Sequence, residues 1–348
     1  ARVLHTYMPR KGKRVLPRLL AWAGFHAISS FAGLFAVPRP DVVLAVSPPL
    51  TIGLGAWVLA RCHGVPFIYN VQELYPDLAV TMGVLKNRQL ISALLKVESL
   101  VYRRAAAVSV IGAAMAARLR EKGVPDRKIR IIPNFVDVDA ITPGERCNEF
   151  SANHGFDGKL VVSYAGNLGL AQGLEVVIEA ARLLRDEPRV RFLVVGDGVM
   201  RDSLAAAVQE SSLDNCIFLP YQPQSKVLDV YAASDLCLVP QAALVAGQAV
   251  PSKAYQIMAA GRPVVAITEP TSDLAALVTA AGCGELVAPG SAGCLASLIT
   301  DALANRAAWQ RMGAAGREHV VTQYSRRSAS GAYQNLLREV AAGGSAAD

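Results

Sequence analysis

The chain has 348 residues, 52% of them hydrophobic and 18% charged, with a formal net charge of +7. This length and apolar content suit two ordinary cores better than one large one, and the composition argues against extended disorder outside the ends. The whole net charge sits at one end: residues 1–40 hold Arg2, Arg10, Lys11, Lys13, Arg14, Arg18 and Arg39 and no Asp or Glu, while the remainder carries 28 basic and 28 acidic residues. Such a distribution argues against a nucleic-acid-binding face spread over the fold, and for a local contact, most simply an anionic membrane surface reached through residues 10–37.

The first apolar run, Leu19–Val37, is almost uncharged and rich in Leu, Phe, Ala and Trp22. Three readings stay open for it: a buried helix, a helix lying in a membrane interface, or a bilayer span, the last weakened by His26, Ser29, Ser30 and two glycines. The run comes late and lacks a small-residue cleavage pattern, so it is not read as a cleavable signal peptide. Beyond it, short runs of Val, Ile and Leu alternate with helical segments. Strands are expected at Asp41–Ser47, Pro66–Val71, Ala107–Ile111 and Ile129–Pro133, and helices near Leu50–His63, Arg88–Arg104 and Ala113–Lys122. Continuous apolar strands of this kind suit a parallel sheet covered on both faces.

Asn134–Phe156 is rich in Asp, Pro and Gly and lacks periodicity, which marks a linker, with the first domain ending near Pro143. A second strand series follows: Leu160–Gly166, Val190–Gly196, Ile217–Tyr221, Leu236–Pro240, Val264–Ile267 and Glu285–Ala288, each with a helix after it. A final helix is expected over Ser328–Val340 and a frayed tail over Ala341–Asp348. The pattern is α/β: two doubly wound Rossmann-like domains, 1–143 and 144–327, with 328–348 as a closing helix and tail. The six cysteines form no Cys-x-x-Cys pair and the five histidines are dispersed. Neither a disulfide framework nor a metal site is indicated, and a reducing cytosol is the expected compartment.

Doubly wound domains bind ligands outside the carboxyl ends of their strands, so chemistry is sought there. In the first domain the strand PFIYNV runs into Gln72-Glu73-Leu74-Tyr75-Pro76-Asp77. Glu73 and Asp77 could orient a polar substrate or exchange protons; alternatively, Asp77 caps the turn and Glu73 pairs with a basic side chain. In the second domain, Gly166, Asn167 and Gly169 followed by Gln172-Gly173 form a glycine-containing loop between strand and helix, where backbone N–H groups can approach an anion. Gly196-Asp197-Gly198 and Tyr221-Gln222 occupy the next two strand ends, and each could equally be a plain turn. The stretch QAVPSKAYQIMAAGRPVVA places a turn at Val250-Pro251-Ser252, Ser252 as a helix N-cap, Lys253 in the first turn and Gly261 just past the helix end. Lysine beside a helix start suits a phosphate or diphosphate; an ordinary capped crossover is the alternative. No Gly-x-Gly-x-x-Gly opens a first strand–helix unit, which disfavours a dehydrogenase, and no Walker loop or Ser-His-Asp set is present.

Together, SPPLTIGL, NVQELYPD, IIPNFVD, YAGNLGLAQGLEVVIEAA, VVGDG, ASDLCLVP and VPSKAYQIMAAGRPVVA resemble the retaining glycosyltransferases of family 4, which have the GT-B fold, over about Arg14 to Tyr333. They are most similar to the WbuB-like and WcaI-like bacterial branch that builds capsule, O-antigen and exopolysaccharide. The resemblance implies transfer from a nucleoside-diphosphate-sugar donor to a lipid-linked or glycan acceptor, with no metal or other cofactor and no nucleic acid, at the inner face of the cell membrane. It places the loop from Gly166 to Gly173 and Ser252-Lys253 at the diphosphate, and Gly196, Gly198, Tyr221 and Gln222 near the base. Glu73, with Gln72, would face the transferred sugar, and the last helix would return to the first domain. The family's two glutamates, with seven residues between them, fall on Gln248 and Gln256, the latter at the ribose hydroxyls, and its Arg and Lys fall near Asn167 and Gln172. Lys253 and backbone amides are then left to neutralise the diphosphate. The opening strand and glycine-rich loop usual in the family are not found ahead of this sequence, so the first domain reads as truncated at its start. A non-catalytic nucleotide-sugar-binding or scaffold subunit and a GT-B sugar-nucleotide epimerase are the alternatives.

Overall fold

The apolar runs become two separate parallel sheets in a computed structural model that describes residues 5, 7, 15–35, 38–245 and 251–344. Gln248 and Val250, and the basic residues Arg2, Arg10, Lys11, Lys13 and Arg14, lie outside the described residues. The chain divides into two units, one comprising 1–133 and 330–348, the other 134–329.

In the first unit, helix α1 (Val15–Phe35) precedes β1 (Val43–Ser47), α2 (Thr51–His63), β2 (Phe67–Val71), α3 (Asp77–Thr81), α4 (Arg88–Arg104), β3 (Ala107–Val110), α5 (Ala113–Glu121) and β4 (Ile129–Ile131). The strands pair in sequence order, β1-β2-β3-β4, all parallel, with Val43 opposite Phe67 and Ile68 opposite Ala107. Every residue of β2 and β3 is buried, as continuous apolar strands in a parallel sheet require. Residues of the last helix complete this unit: Leu336 and Val340 pack with Ile68, Ala107 and Ile132. Asn70, buried in β2, donates through Nδ2 to Ser109 Oγ at 2.9 Å and to the Tyr333 hydroxyl, so its amide is satisfied within the core. No helix among the described residues is long and apolar enough to cross a membrane, so the spanning reading of Leu19–Val37 gains no support.

The second unit contains α6 (Glu149–Asn153), β5 (Leu160–Ala165), α7 (Glu175–Leu183), β6 (Val190–Val195), α8 (Arg201–Glu210), β7 (Cys216–Leu219), α9 (Gln224–Ala233), β8 (Leu236–Pro240), α10 (Lys253–Ala259), β9 (Val264–Ile267), α11 (Asp273–Ala281), β10 (Gly284–Val287), α12 (Ala292–Ala304), α13 (Arg306–Gln323) and the first residues of α14 (Arg326–Gly344). Its parallel strands lie in the order β10-β9-β8-β5-β6-β7. The sequence runs outward from β5 through β6 to β7, then crosses back to β8 on the other side, so the order reverses between β5 and β8. One large core carries this sheet, with Leu160, Val162, Phe192, Leu236 and Trp309 among its buried side chains.

The composition-based boundary near Pro143 differs from the observed one, because the segment from Asn134 onward groups with the second unit. The reason is hydrogen bonding rather than composition. Val136 N–H bonds to Tyr324 O at 3.0 Å, and the Arg317 guanidinium donates to the carbonyls of Val138 (2.8 Å) and Ile141 (2.6 Å). The last helix begins at Arg326, two residues before its expected start.

Candidate functional site

Where the strand order of a doubly wound sheet reverses, the loops leaving the two central strands part and open a crevice at the carboxyl edge. In the second unit this point lies between β5 and β8, and the glycine-containing loop of residues 166–173 leaves β5 there. Its backbone is fitted against the loop leaving β6: Leu168 N–H bonds to Asp197 O at 2.8 Å and Met200 N–H to Leu168 O at 2.9 Å. A Cβ on Gly196 would stand 1.9 Å from Gly166 O, and one on Gly198 would stand 2.4 Å from Leu168 O. With φ of +147° and +155°, both positions also demand glycine conformationally. These two glycines therefore serve the close packing of one loop on the next. On the other side, Ala242 N–H bonds to Ala171 O at 2.9 Å, tying the loop to the segment that leaves β8.

Lys253, the first residue of α10, enters this assembly. Its Nζ donates to the Tyr164 hydroxyl at 2.8 Å and lies 4.0 Å from the centroid of that ring. A Cβ on Gly166 would come within 2.7 Å of Nζ, so the glycine leaves the room the ammonium occupies. Tyr164, 1% exposed at the end of β5, in turn donates to Asn167 O at 2.6 Å and thereby links the lysine to the loop backbone. Burial pushes the Lys253 pKa down to about 7, and no carboxylate among the described residues offsets that penalty. Burial, with a smaller contribution from Tyr221, raises the Tyr164 phenol. A desolvated cation with no counter-ion among the described residues, beside a glycine loop at a switch point, is suited to receive an anion.

Other expected residues are used differently. Ser252 has φ −59° and ψ −22°, already helical, and its side chain makes no capping bond, which corrects the N-cap reading: an N-cap requires extended backbone there. The described residues resume at Pro251, whose carbonyl accepts from Ala254 N–H at 3.1 Å. Gly261 does end the helix, with φ +67°, its N–H bonded to Met258 O while Arg262 N–H bonds to Ile257 O. Gln172 folds back so that Oε1 accepts from Gly169 N–H at 3.1 Å. Gly173, with φ +60°, closes the loop. Gln256 accepts a long bond of 3.4 Å from the Tyr231 hydroxyl. Tyr221 is 59% exposed, and Gln222 donates to Pro220 O at 3.0 Å. Asn167 is exposed at the loop surface. Tyr164 and Tyr231 are not among the site residues expected from sequence; for Tyr164 the sequence signal is an aromatic closing the strand before the glycine loop, and Tyr231, within α9, has none.

In the first unit, Gln72 donates to Asn70 Oδ1 at 2.6 Å, beyond the end of β2. Glu73 is half-buried, forms no ion pair among the described residues, and has its pKa raised by desolvation. Asp77, by contrast, belongs to an ion-pair cluster, 2.8 Å from Lys122 Nζ and 3.2 Å from Arg118 Nε. Lys122 also lies 2.6 Å from the buried Glu98 carboxylate, which accepts from the Tyr102 hydroxyl at 2.9 Å. Asp77 is thus engaged in holding α3, α4 and α5 together, whereas Glu73 has no ion-pair partner among the described residues. Among the described residues no group of three or more His, Cys, Asp or Glu side chains could hold a metal ion.

Residues 147–319 match the family "Glycosyl transferases group 1", and residues 2–134 match "Glycosyl transferase 4-like domain". The chain is 32% identical to "Putative colanic acid biosynthesis glycosyl transferase WcaI" of Escherichia coli over 85% of this chain and 74% of that protein. It is 30% identical to "Probable glycosyltransferase WbjE" of Pseudomonas aeruginosa over 84% and 74%. Among solved structures, sucrose-phosphate synthase from Thermosynechococcus elongatus aligns with a TM-score of 0.75 at 22% identity, over 97% of this chain and 81% of the other. Anabaena HepE in complex with UDP aligns with a TM-score of 0.73 at 16% identity, over 93% and 84%. Two parallel sheets with these structural neighbours make the fold GT-B. By sequence over most of its length, the chain belongs to the group 1 glycosyltransferases, the family 4 enzymes.

Proposed function

We propose that the protein transfers a sugar, with retention, from a nucleoside-diphosphate-sugar to a lipid-linked or glycan acceptor in bacterial surface polysaccharide biosynthesis. The observation that carries the donor assignment is Lys253: a desolvated ammonium held 2.8 Å from Tyr164 Oη, under the glycine loop and at the switch point of the second sheet. The HepE structures in complex with UDP and with UDP-glucose support a nucleotide donor, and the similarity to WcaI, a putative colanic acid biosynthesis glycosyl transferase, supports a surface glycan product. In this reading the diphosphate binds beside Gly166, Asn167, Gln172 and Gly173, with Ser252 near its oxygens. Lys253 stabilises the charge that develops on the diphosphate as the glycosidic bond breaks. A departing phosphate oxygen accepts the proton of the incoming hydroxyl on the same face of the sugar. Gln256 accepts from the ribose hydroxyls through its amide oxygen, Gln248 and Val250 flank the same ligand, and Gly196, Gly198, Tyr221 and Gln222 lie toward the base. Glu73, with Gln72, positions the transferred sugar and forms no covalent intermediate. The reading requires no metal and no other cofactor, and it places the reaction in the cytosol, where nucleotide-activated sugars are the substrates.

The test is turnover by purified protein with a panel of UDP-, GDP- and dTDP-sugars, compared with Lys253→Met. Sugar release or transfer that the substitution abolishes is the expected result. Binding of a nucleotide without turnover, with turnover gained in Gln256→Glu, would instead assign the chain to a non-catalytic nucleotide-sugar-binding role.

A further inference from the structure

The two central strands of the first sheet carry polar side chains at matching positions. Asn70 of β2 and Ser109 of β3 are register partners, 1% and 0% exposed, and Asn70 Nδ2 donates to Ser109 Oγ at 2.9 Å. Because side chains alternate along a strand, Ile68 and Asn70 share one face, and Gln72 continues it past the strand end. Leu336 and Val340 of α14 pack with Ile68 on that face. Tyr333, one turn before Leu336, brings its hydroxyl to Asn70 and accepts from the same Nδ2. Both N–H bonds of the Asn70 amide are thereby committed to hydroxyl oxygens, and its Oδ1 accepts from Gln72 Nε2 at 2.6 Å. A chain of hydrogen bonds thus runs from the last helix, through the buried middle of the sheet, to the residue just ahead of Glu73. Packing alone does not call for it. Leu336 and Val340 already attach the helix, and apolar residues at 70, 109 and 333 would leave no polar group to satisfy.

We infer that Tyr333 and Asn70 are positioning residues for the transferred sugar, acting through the Gln72 side chain. With Nε2 held by Asn70 Oδ1, the Gln72 amide has its oxygen left to meet a ligand. Gln72 and Glu73 then present acceptors side by side in the chain, the chemistry that takes the protons of sugar hydroxyls. An unanchored glutamine is among the side chains that lose most rotamer freedom when ordered. Anchoring it meets that loss during folding, before the sugar approaches its transition state. The inference rests on the reading that Gln72 and Glu73 face the transferred sugar, and adds that a tyrosine 263 residues beyond Asn70 sets the orientation of that contact. A purely structural tyrosine would act whether or not Gln72 has a side chain to orient, so the two roles are separable.

The experiment is a double-mutant cycle on the whole chain, read as release of nucleoside diphosphate from whichever UDP-, GDP- or dTDP-sugar the native protein turns over fastest. Gln72→Ala should lower kcat roughly tenfold. Tyr333→Phe should lower kcat roughly fivefold in the native background and have no further effect in Gln72→Ala. Calorimetric affinity for the free nucleoside diphosphate should be the same in all four proteins, because the loss lies in turnover rather than in donor capture. Asn70→Asp keeps an oxygen to accept from Gln72 Nε2, and the Ser109 and Tyr333 hydroxyls can donate to it, so it should retain more activity than Asn70→Ala. Gln334→Ala, exposed beside Tyr333 on the same helix, should change neither readout. Thermal unfolding identifies any variant that fails to fold, and if those at Asn70 do, the Tyr333 cycle decides. Full kcat in Tyr333→Phe, or the same loss with and without the Gln72 side chain, would overturn the inference and leave the donor reading standing. A native chain that turns over no donor would overturn that reading, and the inference with it.

Discussion

Lys253 offers the sharpest test of the donor site, because its titration and its ligand are coupled. Burial lowers its pKa from the usual 10.5 to about 7 in the unliganded protein. If the bound diphosphate holds the ammonium protonated, binding above pH 7 must take up a proton. Linkage then sets the size of the effect: about nine-tenths of a proton per donor bound at pH 8, and an apparent Kd that weakens roughly tenfold per pH unit above 7. The dissociation constant at pH 9 should be on the order of 100-fold weaker than at pH 6. A nucleoside-diphosphate-sugar is the right probe, since its esterified diphosphate does not itself titrate in this range. Calorimetric titration in two buffers of different ionisation enthalpy reads the proton uptake directly. Tyr164→Phe removes the hydroxyl 2.8 Å from Nζ and with it the link to Asn167 O. Losing one such bond should weaken donor binding at pH 7 by about 1 kcal/mol, or fivefold, while leaving proton uptake in place. Lys253→Met should abolish the uptake and weaken binding by about 2 to 3 kcal/mol. Donor binding with no proton uptake at pH 8, or the same uptake in Lys253→Met, would refute the reasoning.

Stability should respond to the same lysine in the opposite sense. The folded pKa lies below the unfolded one, so between pH 7 and about 10 the unfolded chain binds more protons, and stability from this group rises with pH by up to about 1.4 kcal/mol per unit. Lys253→Met should therefore raise the midpoint of thermal unfolding at pH 7 and flatten its climb toward pH 10; a lower midpoint at pH 7 would contradict this. In the first unit, Lys122→Met leaves Glu98, 2% exposed, without its cation and should cost about 3 to 5 kcal/mol in urea unfolding. Pairing it with Glu98→Gln should recover part of that loss, and equal losses in the single and double variants would count against the ion-pair account. Gly196→Ala puts a methyl group 1.9 Å from Gly166 O and at φ +147°, so it should displace the glycine loop and remove donor binding measured by calorimetry.

Much of the fold was legible because parallel strands buried on both faces must be continuous apolar runs, and FIYNV and LVVSYA can hardly be anything else. Turn chemistry marked where α10 ends, since Gly261 adopts a positive φ that most side chains avoid. Its start was less legible. Serine is the commonest of caps, but whether its hydroxyl reaches a backbone N–H depends on φ and ψ at that residue, which composition does not fix. Asp77 shows the same limit at longer range. From sequence its readings are a substrate contact or a turn cap, and the ion pairs it makes instead reach Arg118 and Lys122, 41 and 45 residues further along the chain.

Tyr164 and Lys253 are 89 residues apart, and strand order explains why they meet. Had β8 followed β7 at the far edge of the sheet, the segment leaving it would have lain three strands from β5. Because the chain instead crosses back, β8 pairs directly with β5, Val162 opposite Leu236, and the loops after both strands share one crevice. The helix that follows then delivers Lys253 under Gly166, into a space whose walls are a tyrosine ring and backbone. A methionine there would avoid the desolvation of an ammonium, so the lysine is costly to the empty protein. Proteins tolerate such local costs where a ligand repays them on binding, and an anion held at that point would do so. The expected rise in stability of Lys253→Met, together with its loss of donor binding, is therefore one proposition about one atom: removing Nζ should help the fold only to the extent that it harms the site.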